Sequence, residues 1–383
     1  MIHRAVSSTA IQDFPLWERA RARRTPLSCE LELTARCNNN CRHCYNNLPR
    51  NDGSARAAEI SAAEILDFAK QAASMGALWC LLTGGEPLLR DDFPEIYLGL
   101  KKMGFLVTVF TNGTLVNRDL VALFKEHPPR DIEITVYGAT RATYERVTRN
   151  PGSFACFQRG LALLMENDVP VRLKAMALRA NVDEAYEITR FCRQRTKDFF
   201  RMDPFLHLRY DGNEQRNREI MRQRLSAGEI LALERSDPDR LNALKKECKR
   251  LDPPGAKLEP STRLFRCAIA SGSFAVGYDG SYRPCSSLRH PDCTYDLRNG
   301  SLEDAWCSFT PEVIEMRSTR TLFLENCSTC RLFNLCMWCP AHAYLETGEL
   351  DGFVPYFCEL AHARAQSLQE IISDNKFDKA IDL

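Results

Sequence analysis

Cys37-Asn38-Asn39-Asn40-Cys41-Arg42-His43-Cys44 decides the reading of this chain. Three thiolates spaced by three residues and then two sit on one tight loop, enough to hold three irons of a four-iron cluster and leave the fourth open. A zinc loop is the alternative, but zinc usually takes a second ligand pair at a suitable distance. Just upstream, Ser28 to Thr34 alternates in the manner of a strand, so the cysteines follow a strand's C-terminal end. Barrel enzymes do their chemistry at that end.

The same cadence continues downstream. The spacing predicts a helix from Ser61 to Met75, then a strand from Ala77 to Leu82 that breaks at Thr83-Gly84-Gly85-Glu86-Pro87. Two glycines let a backbone pass close to a ligand, and Glu86 is suited to accept hydrogen bonds from an ammonium group. Further strands are expected at Phe105 to Phe110, ending in Thr111-Asn112-Gly113, at Ile132 to Tyr137, at Val169 to Leu178, and within Phe199 to Tyr210. Six strand-helix units in about 190 residues fall short of a closed eight-unit barrel, which takes roughly 250. The expected fold is α/β, an open partial barrel.

The cysteine triplet, with aromatic His43 before its last member, and Gly84-Gly85-Glu86-Pro87 some forty residues later resemble the two signatures of radical S-adenosylmethionine (SAM) enzymes. The resemblance implies a partial (β/α)6 barrel and SAM chelated to the open iron of a cluster held by Cys37, Cys41 and Cys44. It also implies reductive cleavage of SAM to a 5'-deoxyadenosyl radical. Gly84, Gly85, Glu86, Pro87 and Asn112 would bind SAM, and Thr135, Tyr137, Lys174 and Asn181 would lie near its ribose, carboxylate or adenine. Each of these last four has an alternative as a strand-end residue with a local structural role.

Cysteines also mark the last third. Cys267, Cys285 in Gly280-Ser-Tyr-Arg-Pro-Cys285, the run Cys327-x2-Cys330-x5-Cys336-x2-Cys339, and Cys358 are packed too closely for a usual zinc ribbon. Their layout resembles the SPASM domain, a small cysteine-rich domain binding auxiliary clusters in peptide- and protein-modifying radical SAM enzymes. That resemblance assigns Cys267, Cys285 and Cys339 to a first auxiliary cluster and Cys327, Cys330, Cys336 and Cys358 to a second, for three 4Fe-4S clusters in all. Seven thiolates do not close two cubic clusters, so the first has an open iron or borrows Cys293, Cys307 or a non-cysteine ligand. Cys29, Cys80, Cys156, Cys192 and Cys248 show no cluster spacing and read as ordinary thiols.

The expected organisation is an N-terminal extension over 1–26, the barrel over 27–212, a charged helical linker over 213–262 with a break at Asp252-Pro-Pro-Gly255, the SPASM domain over 263–364, and a tail over 365–383. A chain of 383 residues at 44% hydrophobic can bury two cores, and a net charge of +1 gives no reason to expect nucleic-acid binding. No apolar targeting segment or run of eighteen apolar residues is present, so neither export nor membrane spanning is expected. Seventeen cysteines without a signal fit cluster ligation in a reducing, cytoplasmic compartment.

These features favour a maturase that abstracts hydrogen from a ribosomal peptide or a protein residue. The alternatives are a SPASM-containing dehydrogenase or isomerase of a small molecule and a non-catalytic iron-sulfur electron carrier. Asp203, Arg209 and Asp211 near the sixth strand's end are candidate catalytic groups, with salt-bridge or turn roles as the alternative. Only some 26 residues precede the first strand, too few for the winged-helix module of many peptide maturases. Leader recognition would then come from the barrel surface or a separate leader-binding protein. A low-potential donor such as flavodoxin or ferredoxin would supply the electron.

Overall fold

The computed structural model describes residues 16–196, 200, 202–248, 260–267, 269 and 271–381. The expected break at Asp252 to Gly255 lies outside them. Six parallel strands form the partial barrel: β1 (Ser28–Glu32), β2 (Trp79–Thr83), β3 (Leu106–Thr111), β4 (Asp131–Val136), β5 (Val171–Met176) and β6 (Met202–Asp203). Helices α1 (Ala62–Ser74), α2 (Phe93–Lys102), α3 (Arg118–Glu126), α4 (Ser153–Glu166) and α5 (Ala185–Arg193) lie between them. Ser61 and Glu64 close a capping box at the start of α1, satisfying N–H groups that the first turn leaves free.

The strands alternate as a ligand-holding barrel requires. Outward residues such as Leu31, Leu82, Val107, Val109, Ile132, Ile134 and Leu173 are buried with Ile65, Phe68, Ile96 and Tyr97 of the helices. The inward set is polar, with Glu30, Asp131, Glu133 and Arg172 lining an interior chamber. The sixth strand is only two residues long, paired Ala175↔Met202 and Met176↔Asp203. Pro204 follows it and has no N–H to donate to the ladder.

The cysteine-rich region is joined to the barrel through the sheet. β7 (Ser273–Val276) pairs parallel with β1 in the register Glu30↔Ala275, and β8 (Ser281–Arg283) folds back antiparallel on β7. With β9 (Tyr295–Asp296), the strand order among the described residues is β9-β8-β7-β1-β2-β3-β4-β5-β6. A second core of Phe205, Leu264, Phe265, Leu288, Trp338 and Phe357 surrounds the C-terminal cysteines.

The expected helical linker folds as such, while the expected C-terminal tail does not stand apart. The linker is three helices, Glu214–Gln223, Ala227–Ser236 and Pro238–Cys248, docked by Ile220 on Leu178 and Leu206 and by Ile230 near Leu360. Residues 365–381, expected as a tail, continue helix α6 (Pro355–Ile381), because Leu368 packs with Leu244 and Leu335 while Arg235 donates to Ser367 Oγ at 2.8 Å. No helix among the described residues is long and apolar enough to cross a membrane.

Candidate functional site

The cysteine loop is clamped from several sides before any ligand is considered. Asn40 and Arg42 donate backbone hydrogen bonds to the carbonyls of Thr148 and Val147 at 2.9 and 3.0 Å. Asn150 donates to the Asn38 carbonyl at 3.1 Å and the Asn39 side chain at 2.8 Å, and Arg216 donates to the Cys41 carbonyl at 2.8 Å. Arg209 reaches the carbonyls of Cys44 and Asn47 and is itself paired with Asp211. These clamps were not foreseen as such; Asn150 sits in Arg149-Asn-Pro-Gly-Ser-Phe154, whose spacing alone assigns no role.

Cys37, Cys41 and Cys44 line a cavity of about 200 Å3 together with Gly84, Gly85, Asn112, Thr135, Tyr137 and Lys174. Most of the residues expected around SAM are therefore brought to one place. Asn112 Nδ2 donates to Asn38 at 2.9 Å and lies 3.8 Å from Cys37 Sγ. Lys174 Nζ sits 3.2 Å from the Phe110 ring centre and 3.1 Å from Glu133. The His43 ring packs 5.2 Å from that of Tyr137, its buried Nδ1 lacks a partner, and burial, helped by Arg216, pulls its pKa down to about 4. A neutral imidazole thus walls the loop.

Glu86, Pro87 and Asn181, also expected at SAM, are not among the residues that line this cavity. Glu86 is fully buried behind the wall, where its carboxylate accepts from Thr111 Oγ1 at 2.7 Å, Asn112 N at 2.7 Å and Leu88 N at 3.1 Å. Burial pushes its pKa up to about 7 against those three donors. Pro87 is buried at the first position of a short turn, Pro87–Leu89, that Glu86 caps. Asn181 commits its amide to the backbone, donating to Tyr137 O at 3.0 Å and Met176 O at 2.9 Å and accepting from Leu178 N at 2.8 Å. It ties the ends of β4 and β5 together.

The glycines line the cavity and also make a close approach to the chain itself. A Cβ on Gly84 would lie 2.2 Å from the Thr34 carbonyl oxygen, and one on Gly85 2.3 Å from that of Arg36. Gly85 N and Glu86 N donate to Thr34 O and Arg36 O at 2.6 and 2.9 Å. The motif is thus pressed against the segment entering the cysteine loop. It lines the cavity with Thr83, Gly84 and Gly85 rather than with its glutamate.

The thiols suit iron. Burial raises the pKa of Cys37, with Glu86 adding to the effect, and raises that of Cys41 further with Cys44 beside it. Coordination to a cationic metal reverses that preference and holds a thiol deprotonated. Asp203, Arg209 and Asp211 do not join this cavity's lining. Asp203 accepts from Phe205 N at 3.0 Å in a turn, while Arg209 and Asp211 form the ion pair that was their alternative role.

Four of the C-terminal cysteines share one cavity and two others line a second. Cys327, Cys330, Cys336 and Cys358 line one cavity of about 180 Å3 with Trp338 and His362. Cys267 and Cys285 line the barrel's interior chamber, and both add to the raised pKa of Cys339, which burial pushes up to about 12. Among the described residues no three His, Cys, Asp or Glu side chains stand close enough to hold a single metal ion. Cluster thiolates bind different irons, so they surround a space rather than converge on a point. Cys29 and Cys80 are neighbours across β1 and β2 and buried on the barrel's outer face, as ordinary thiols would be.

Residues 31–192 match the Radical SAM superfamily. The AdoMet-dependent heme synthase of Methanosarcina barkeri is 25% identical over 345 residues, which are 85% of this chain and 94% of that protein. A probable GTP 3',8-cyclase of Methanothermobacter thermautotrophicus is 30% identical over 175 residues, 45% of this chain and 55% of the other. Among solved structures, Streptococcus suis SuiB bound to precursor peptide SuiA aligns over 90% of this chain and 79% of its own with a TM-score of 0.66 at 14% identity. The structure of native anSMEcpe with bound AdoMet aligns over 91% and 100% with a TM-score of 0.61, also at 14% identity. With its cysteine loop at the barrel's C-terminal end and its cysteine-rich region on the β1 edge, the chain carries a radical SAM domain over residues 31–192 and shares the fold of SuiB and anSMEcpe along most of its length.

Proposed function

We propose that this chain is a cytoplasmic radical SAM maturase that abstracts hydrogen from a peptide or protein residue and so starts a post-translational modification. The observation that carries the reading is the pair of joined spaces inside one barrel. The cavity lined by Cys37, Cys41 and Cys44 and the chamber of about 490 Å3 lined by Cys267 and Cys285 share Phe110 and Glu133 as wall residues. A substrate in the chamber would lie next to the SAM cavity, and that proximity is itself a large part of catalysis.

In this reading Cys37, Cys41 and Cys44 hold the cluster that binds SAM. Asn112, Thr135, Tyr137 and Lys174 orient SAM, with Gly84 and Gly85 in the wall. The bound pair supplies a 5'-deoxyadenosyl radical when an electron arrives from a low-potential donor such as ferredoxin or flavodoxin. Cys267, Cys285 and Cys339 and the set Cys327, Cys330, Cys336 and Cys358 hold two auxiliary clusters. The peptide-bound SuiB and peptide-bound anSMEcpe structures, which share this fold, support a peptide substrate, and a separate leader-binding protein would deliver it.

A small-molecule substrate is the second reading, favoured by the heme synthase relative that spans 94% of its own length in the match. Anaerobic turnover with reductant and SAM, monitored for 5'-deoxyadenosine, tests the shared chemistry. Mass spectrometry of a co-expressed candidate precursor peptide, run beside a tetrapyrrole haem precursor, separates the two. A mass change in the peptide supports the first reading; a change in the tetrapyrrole alone overturns it.

A further inference from the structure

The interior chamber holds three carboxylates, and two are neutralised. Arg172 lies 3.3 Å from Asp131 and 3.6 Å from Glu133, and Lys174 lies 3.1 Å from Glu133. Glu30, on β1, makes no ion pair within 4 Å among the described residues, yet it lines the chamber together with Cys267, Cys285 and Ser286. Ser286 is the chain neighbour of Cys285, whose pKa burial raises, with the charges of Cys267 and Glu30 adding to the effect. Strand register puts them there. Glu30 and Arg283 both stand opposite Ala275 of β7, and Cys285 follows two residues after Arg283, just beyond the end of β8.

The two spare thiols stand elsewhere. Cys293 is fully buried with its sulfur 3.7 Å from Met316 Sδ, and Cys307 is exposed. Neither lines the chamber; Cys29 and Cys80 reach its wall, but both pack in the core against the helices, with Cys29 Sγ donating to Trp79 O at 3.7 Å. A cluster held by Cys267, Cys285 and Cys339 has three thiolates and one iron left to satisfy. The oxygen donor in the same chamber is the buried Glu30 carboxylate, which Arg289 and Lys174 influence without pairing with it.

We propose that the Glu30 carboxylate is the fourth protein ligand of the auxiliary cluster held by Cys267, Cys285 and Cys339. The inference rests on the reading that those three cysteines hold a cluster. Binding is a ligand exchange in which the carboxylate gives up its proton to solvent and donates an oxygen lone pair to iron, with no change of oxidation state. The cluster is then closed to substrate by a hard, exchangeable ligand rather than by sulfur. It also links the barrel strand that leads to the SAM site directly to the cysteine-rich domain.

The test uses full-length, anaerobically reconstituted protein with Cys37, Cys41 and Cys44 changed to alanine, so that only auxiliary clusters contribute to the paramagnetic resonance spectrum. Cyanide is the probe. Glu30→Gln should lower the cyanide concentration that perturbs one auxiliary signal at least tenfold, and Glu30→Cys should raise it above that of the parent. Equal midpoints in all three proteins would overturn the assignment. If Glu30→Gln does not fold, Mössbauer spectra of Glu30→Cys decide: one iron site should change from the parent, and identical spectra exclude Glu30 as a ligand. A separate Cys267, Cys285, Cys339→Ala protein should lose about four irons. Unchanged iron there would show that the cluster reading itself fails, whatever cyanide does.

Discussion

Arg209 holds Asn47 twice, donating from Nη1 to its backbone carbonyl at 2.9 Å and to its side-chain oxygen at 2.8 Å. Asp211 pairs with the same guanidinium and keeps the fork in place. Arg209→Ala strips two buried acceptors of their donor, at a cost of about 1–3 kcal/mol each. We expect a lower Tm and a SAM-site cluster that loses iron faster to a chelator, while auxiliary iron stays. Asp211→Asn should show the same change more weakly, read by thermal unfolding and timed iron release.

Glu86 lies behind the cavity wall, so Glu86→Gln should leave SAM affinity within about threefold, less than the roughly 1.5–3 kcal/mol that a charged hydrogen bond to the ligand would contribute. Its pKa is raised from 4.5 to about 7 in the folded protein. The folded state therefore holds an extra proton between those values, and the stability linked to this group falls as pH rises through that window. The Tm advantage of wild type over Glu86→Gln should shrink between pH 5 and pH 8. A constant difference, or a SAM affinity reduced a hundredfold in equilibrium dialysis, would place the carboxylate on the ligand instead.

Gly85→Ala pushes a methyl group to 2.3 Å from the Arg36 carbonyl oxygen, backbone against backbone. Overpacking of this kind costs roughly 1–3 kcal/mol or more. The expected outcome is reduced soluble yield and loss of iron from the cysteine loop. Gly53→Ala is the control, since a Cβ there meets nothing within 4 Å, and its Tm should stay within a degree or two of wild type.

Reconstituted wild-type protein should bind about twelve irons if three four-iron clusters assemble, and Cys37, Cys41, Cys44→Ala about eight. Cys293→Ala should leave the count unchanged, because its thiol faces Met316 and an apolar core. Saturation of wild type at about four irons would remove both auxiliary clusters from the assignment.

Much of this architecture is legible in the chain. Alternation in Ser28 to Thr34 and Ile132 to Tyr137 marks strands within a residue or two of their observed ends, because buried outer faces and polar inner faces leave a period of two. Cysteine spacing marks the loop at Cys37 to Cys44 and the cysteine-rich C-terminal third. Contacts across distant segments are what spacing does not carry. The turn from Gly84 to Glu86 packs on residues 34–36, Asn181 satisfies two strand ends, and β7 docks on β1, each by non-local pairing that leaves no local pattern. The sixth strand falls within Phe199 to Tyr210 as expected, and it is short because Pro204 has no N–H to extend the ladder.

β1 pairs with β2 on one edge and with β7 on the other. On the ribosome those edges are filled at very different times. Residues 79–83 follow β1 quickly, but residues 273–276 emerge about 240 residues later, roughly ten to fifty seconds at ordinary elongation rates. Throughout that interval the strand leading into the cysteine loop presents an unpaired row of N–H and C=O groups, a template for association with other nascent chains. Heterologous expression of this protein is therefore a race between translation and aggregation, and slower, cooler growth with chaperone support should favour the soluble product before any iron is supplied.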